Sequence, residues 1–142
     1  MTKAEILSVL NQYLKAKRRY ITTSRNLEEC ETMITRLSID YSKEKVKSTP
    51  NPDKMTELID RLIYLKGVFL ETAEESTAKM EETLRFIETI DNSVHHEIIS
   101  RHYIHDETWE EIAEEMNYTY RYILKLHDEA LKGIGDKHGE KI

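Results

Sequence analysis

Both prolines of this chain, Pro50 and Pro52, fall within one short stretch, and three of its four glycines, Gly133, Gly135 and Gly139, lie near its C-terminal end. The two long stretches on either side of the prolines therefore hold almost nothing that breaks a helix. With 34% of residues charged, that distribution predicts helix nearly throughout and an all-α fold. A chain of 142 residues can hold one compact domain, or a small domain with an extended element.

Before the prolines, Ile6, Leu10, Tyr13, Tyr20, Leu27 and Ile34 recur at steps of three, four or seven residues. Leu7, Leu14, Ile21 and Leu37 lie beside them, giving one long apolar stripe. Lys17, Ser24 and Glu31 interrupt the other heptad seam, so the stripe needs a partner helix. A break is expected over 42–52, with Pro52 as the first helical residue behind an Asn51 cap. A second helix is expected from Asp53 to Ile90, its stripe carrying Leu58, Leu62, Leu65, Phe69, Leu84 and Ile87, with Thr72 and Ser76 as polar interruptions. Each helix would be roughly 57 Å long, more than a compact domain of this mass needs. The two are expected to form an antiparallel hairpin or coiled-coil arm over residues 1–91 whose exposed apolar surface supports a homo-oligomer.

The densest local signal runs from Thr108 to Leu131. Thr108 and Glu111 have the spacing of a capping box, so a helix should start there. Trp109, Ile112 and Met116 form its buried face, Glu110, Glu111, Glu114 and Glu115 its wet one, and Ala113 permits a close helix crossing. Asn117 tolerates the left-handed backbone that ends a helix. Tyr118 is expected to pack inward and Thr119 to cap a second helix with the stripe Ile123, Leu126 or His127, and Ala130. Two short helices joined by a tight turn make a helix-turn-helix, expected in a domain of residues 92–133. Gly133 is expected to end the last helix, leaving 134–142 as a flexible tail.

From about Ser93 to Leu131 the chain resembles the fourth region of primary-type sigma factors. Over residues 50–133, through PDKMTELIDRLIYLK and TWEEIAEEMNYTYRYILKLHDEAL, it is similar to the phage-encoded late transcriptional activators of the ArpU and RinA kind. The family commonly has Gly where this chain has Asn117. The resemblance implies a sequence-specific activator of phage or prophage genes in the cytoplasm of a bacterial host, with double-stranded DNA and RNA polymerase as partners. It also implies that Thr119, Tyr120, Arg121 and Lys125 face DNA, flanked by Tyr122 and Leu124. Arg121 suits guanine, Lys125 a guanine or a phosphate, and Thr119 a phosphate at the helix start.

Charge cuts against tight binding. From Asn92 onward there are six Lys and Arg against eleven Asp and Glu, whereas duplex affinity comes largely from neutralised phosphates. The acidic excess is concentrated in Asp106–Glu115, with Arg121, Lys125, His127 and Lys132 expected on the other face, so binding through one face is the expectation. A basic cluster on the first helix, Lys15, Lys17, Arg18, Arg19 and Arg25, is balanced by Glu28, Glu29 and Glu31. Cys30 is the only cysteine, which leaves no disulfide framework and fits a reducing compartment. His95, His96, His102 and His105 lack the companion ligands of a metal site. No cofactor motif, catalytic constellation, signal peptide or membrane span is found, so an enzyme is not expected. Two other readings are a small terminase-like DNA-packaging subunit and a sigma-mimicking module that binds RNA polymerase without DNA.

Overall fold

A computed structural model describes residues 1–43 and 52–139, and among these the chain is all-α, with no strand. Five helices follow in order: α1 (Lys3–Lys43), α2 (Pro52–Glu88), α3 (Ser93–Tyr103), α4 (Trp109–Met116) and α5 (Tyr120–Gly139). Most of the expected break, residues 44–51, and the Asn51 cap lie outside the described residues. The restart at Pro52 is as expected.

The helices divide between two compact units. One spans Lys17–Glu75 and consists of the distal parts of α1 and α2, paired antiparallel. Early residues of α1 meet late residues of α2: Tyr20 and Phe69 rings lie 5.2 Å apart, and Arg19 pairs with Glu75 at 3.0 Å. Further along, the Cys30 thiol donates to the Leu58 carbonyl at 3.5 Å. Two helices alone can bury only one stripe each. Thr23, Cys30, Leu58 and Thr72 are buried, whereas Leu27, Ile34, Leu62 and Leu65 are half-buried. The buried hydroxyls are satisfied locally, Thr23 donating to the Arg19 carbonyl and Thr72 to that of Phe69, so they cost little. Ile21, expected beside the stripe, is 37% exposed.

The other unit joins 1–16 to the chain from Ser76 onward. Its main core combines Ile6, Leu10 and Leu14 of α1, Ile87 of α2, Ile99 and Tyr103 of α3, and Ala130, Leu131 and Ile134 of α5. Here too α1 and α2 pair, the fully buried Thr83 donating to the Val9 carbonyl. A second cluster of Ile98, Ile112, Ala113, Ile123 and Leu126 sits among α3, α4 and α5, and Trp109 packs against both clusters. The helix-turn-helix region thus shares its core with the opening turns of α1, across the boundary expected near residue 91.

The expected ending at Gly133 is corrected. α5 continues through Gly133 and Gly135 to Gly139, so residues 134–139 are helix rather than a flexible tail, and 140–142 lie outside the described residues. A helical glycine costs about 1 kcal/mol, but burial outweighs it: Ile134 is 1% exposed, worth roughly 2–3 kcal/mol. A Cβ on Gly135 would already stand 3.4 Å from Ile6 Cδ1. Lys137 then donates to the Thr89 carbonyl just beyond α2 and pairs with Asp91 at 2.6 Å, and His138 stacks on Phe86.

Candidate nucleic-acid interface

Three helix starts and two left-handed residues set the geometry of the C-terminal helices. The Asn92 side chain accepts from the Val94 and His95 amides to open α3. Asp106, with φ 57°, turns the chain between α3 and α4, a conformation Asp adopts more readily than most side chains. At α4 the Thr108 hydroxyl accepts from the Glu111 amide at 3.2 Å while the Glu111 carboxylate accepts from the Thr108 amide at 3.4 Å. The capping box read from the sequence is therefore formed. Asn117 has φ 57° and ψ 38°, and the amides of Asn117 and Tyr118 donate to the Glu114 and Ala113 carbonyls, the bond pair of a Schellman ending. Thr119 then caps α5, its hydroxyl accepting from the Tyr122 amide at 3.1 Å.

An aromatic knot fixes the angle between α4 and α5. The His102 ring stacks on Trp109 at 3.8 Å, Trp109 contacts His127 at 4.6 Å, and the Tyr103 hydroxyl hydrogen-bonds His127 Nε2 at 2.7 Å. His102 Nδ1 lies 2.8 Å from the Glu107 carbonyl. Burial lowers His127 to about 4, with nearby His102 and Lys3 adding to the effect and Asp128 opposing it. Burial likewise pushes Tyr103 up to about 12. His127, expected either on the stripe or on the cationic face, belongs to this interior. Its place three to four residues from Ile123 and Ala130 marks it as part of the stripe, where Leu126 is buried as well.

The expected contact residues separate by helix face. Arg121 and Lys125 are exposed, lie one turn apart opposite the stripe of Ile123, Leu126 and Ala130, and have no ion pair among the described residues. Lys132 continues that face, together with Asp128, which Lys3 neutralises at 3.3 Å. Tyr120, 46% exposed, and half-buried Leu124 lie on one flank. Tyr122, 42% exposed, lies on the other, with its ring 5.1 Å from that of Tyr118. Thr119 is exposed, and its hydroxyl is engaged as the cap. Tyr118 does not pack inward: it is 38% exposed and leans on Tyr122. Its amide, rather than its ring, serves the turn, so nothing in the local pattern draws the ring inside.

Glu110, Glu111, Glu114 and Glu115 are all exposed. Arg101 draws Glu97, Glu107 and Glu115 together, a gathering that the sequence did not signal because the four residues come from three segments. Its pKa is raised, chiefly by the hydrogen bond to Glu97 and then that to Glu115. Among the described residues no cluster of His, Cys, Asp or Glu can hold a metal ion, and no helix is long and apolar enough to cross a membrane. Compared with the models of known protein families, with curated proteins and with solved structures, the chain matches none.

Proposed function

We propose that the chain is a DNA-binding transcriptional regulator of phage or prophage genes, an activator that inserts the start of α5 into a major groove. The observation that carries this reading is the α4–turn–α5 arrangement. A short helix ends at left-handed Asn117, and the next begins with exposed Arg121 and Lys125 on the side away from its core, flanked by exposed Tyr120. Arg offers paired donors to guanine, Lys a charge for guanine or phosphate, and a tyrosine ring apolar contact with a thymine methyl. The resemblance to sigma region four and to phage late activators supplies the regulatory role.

The acidic patch on α4 favours a second reading, a module that docks on a basic surface of RNA polymerase without touching DNA. Footprinting of the purified protein on its phage genome, at several salt concentrations and with or without polymerase, tests the first reading. A discrete upstream footprint that weakens steeply with salt is expected. Arg121→Ala with Lys125→Ala should weaken it strongly and reduce the salt slope by about 1 for each phosphate no longer neutralised. Unchanged promoter output in a folded double variant would favour the second reading.

A further inference from the structure

A carboxylate, Asp128, stands between the cations on the outward face of α5. It lies one turn after Lys125 and one turn before Lys132, the spacing at which a helical carboxylate draws a lysine into an ion pair. It pairs with neither. Its partner is Lys3 of α1, at 3.3 Å and 125 residues away in sequence. Among the described residues Arg121, Lys125 and Lys132 are thereby left without an ion pair. His127 Nδ1 is 4.0 Å from the same carboxylate, but burial keeps that ring neutral near pH 7, so it offers no charge. Glu129, the next residue, is turned toward α3 and meets His95 at 3.5 Å. Asp136 lies past the last of the cations.

Two features of α1 hold Lys3 in place. The Thr2 hydroxyl accepts from the Glu5 amide and the Glu5 carboxylate accepts from the Thr2 amide, both at 3.2 Å, a capping box that fixes the helix start. One turn on, Ile6 is 2% exposed in the core that holds Leu131 and Ile134. We propose that Lys3 belongs to the DNA-binding surface: by occupying Asp128 it cancels the carboxylate among the cations of α5 and leaves Lys125 and Lys132 to meet phosphates. This rests on the reading of α5 as a recognition helix and adds to it a residue from the opposite end of the sequence. Arg121 to Lys132 covers roughly 16 Å of helix, against a major groove about 12 Å wide. A helix that enters by its first turns therefore carries Asp128 and Lys132 to the edge of the groove, where the phosphates run. An unmasked carboxylate there would repel phosphate and recruit the lysine one turn away.

Titration of the full chain against the genomic fragment that carries its footprint, at several salt concentrations, tests this. Asp128→Asn releases Lys3 and should tighten binding about three- to ten-fold, whereas Lys3→Ala unmasks Asp128 and should weaken it by a similar factor. Both effects should shrink as salt rises. The double variant should return to within about two-fold of the wild type. Lys125→Ala should cost less in the Lys3→Ala background than in the wild type, because Asp128 then already holds Lys125. The side chains of the pair are 64% and 59% exposed, so circular dichroism and thermal melting should hardly change. If the pair only fastens α1 to α5, both single substitutions lower affinity and melting together. That result overturns the inference, as does an Asp128→Asn chain that binds no more tightly than the wild type. A wild type that leaves no footprint overturns the DNA reading and this inference with it; a wild type that binds, with single variants that do not diverge in sign, overturns this inference alone.

Discussion

At the scale of single residues, His127 is the group whose chemistry differs most from its exposed counterpart. Its folded pKa is lowered to about 4 from an ordinary 6.5, so above pH 6.5 the ring is neutral whether the chain is folded or not and full stability is present. Between pH 6.5 and 4 the unfolded chain takes up a proton that the folded one refuses, and stability falls; below pH 4 this contribution stops changing. After discounting for solvent screening, the loss by pH 5 should be about 1–2 kcal/mol. Urea unfolding at pH 7.5 and pH 5 measures it, and His127→Gln, which keeps an acceptor for Tyr103, should flatten the difference. Asn117 gives a second expectation. Asn117→Gly should be almost neutral, whereas Asn117→Val, forced to φ 57°, should cost about 1–2 kcal/mol in the same assay. Residues whose role is local were legible in the sequence: Thr108, Glu111, Asn117 and Thr119 act on backbone groups within a few positions. Tyr118 was misread as inward, although only its amide serves the turn, and His127, which spacing allowed on the stripe and charge on the cationic face, is assigned to the interior by Tyr103 and Trp109, which no local pattern encodes.

Whole helices show the same division. The long elements followed from the apolar stripe and the scarcity of Gly and Pro, and the turn between α4 and α5 from its caps. The last two turns of α5 were not foreseen, because Gly133 and Gly135 read as a stop and the contacts that keep them helical come from Ile6, Thr89 and Asp91. The two glycines should respond differently to substitution. At Gly133 a Cβ meets nothing within 4 Å, so Gly133→Ala should stabilise the unit by about 0.5–1 kcal/mol. At Gly135 the Cβ would stand in ordinary contact 3.4 Å from Ile6 Cδ1, so the gain should be somewhat larger, the added methyl covering part of Ile6. Thermal melts of the two variants, with hydrogen exchange at the amides of 134–138, would separate these outcomes.

For the whole molecule, the division into units decides what can be cut away. Leu10 is fully buried and belongs to the same core as Tyr103 and Leu131. Leu10→Ala, although far in sequence from the helix-turn-helix, should cost about 2–5 kcal/mol and lower the melting of α3 to α5. A fragment of 92–139 alone, near the domain that the sequence suggested, should be a poorly structured chain by circular dichroism. Full-length protein with substitutions confined to the Lys17–Glu75 unit should keep its C-terminal helices. Where the core gathers could not be read from the sequence, because Lys17, Ser24 and Glu31 interrupt only one heptad seam while the apolar stripe of α1 runs on past Ala16, and the partners on the other side decide the rest. The joining of Ile6 with Ile134, and of Lys3 with Asp128, also bears on synthesis. The ridge of Ile6, Leu10 and Leu14 lacks part of its cover until α5 has been translated, so the nascent chain exposes apolar surface over that interval and is a natural client for a chaperone.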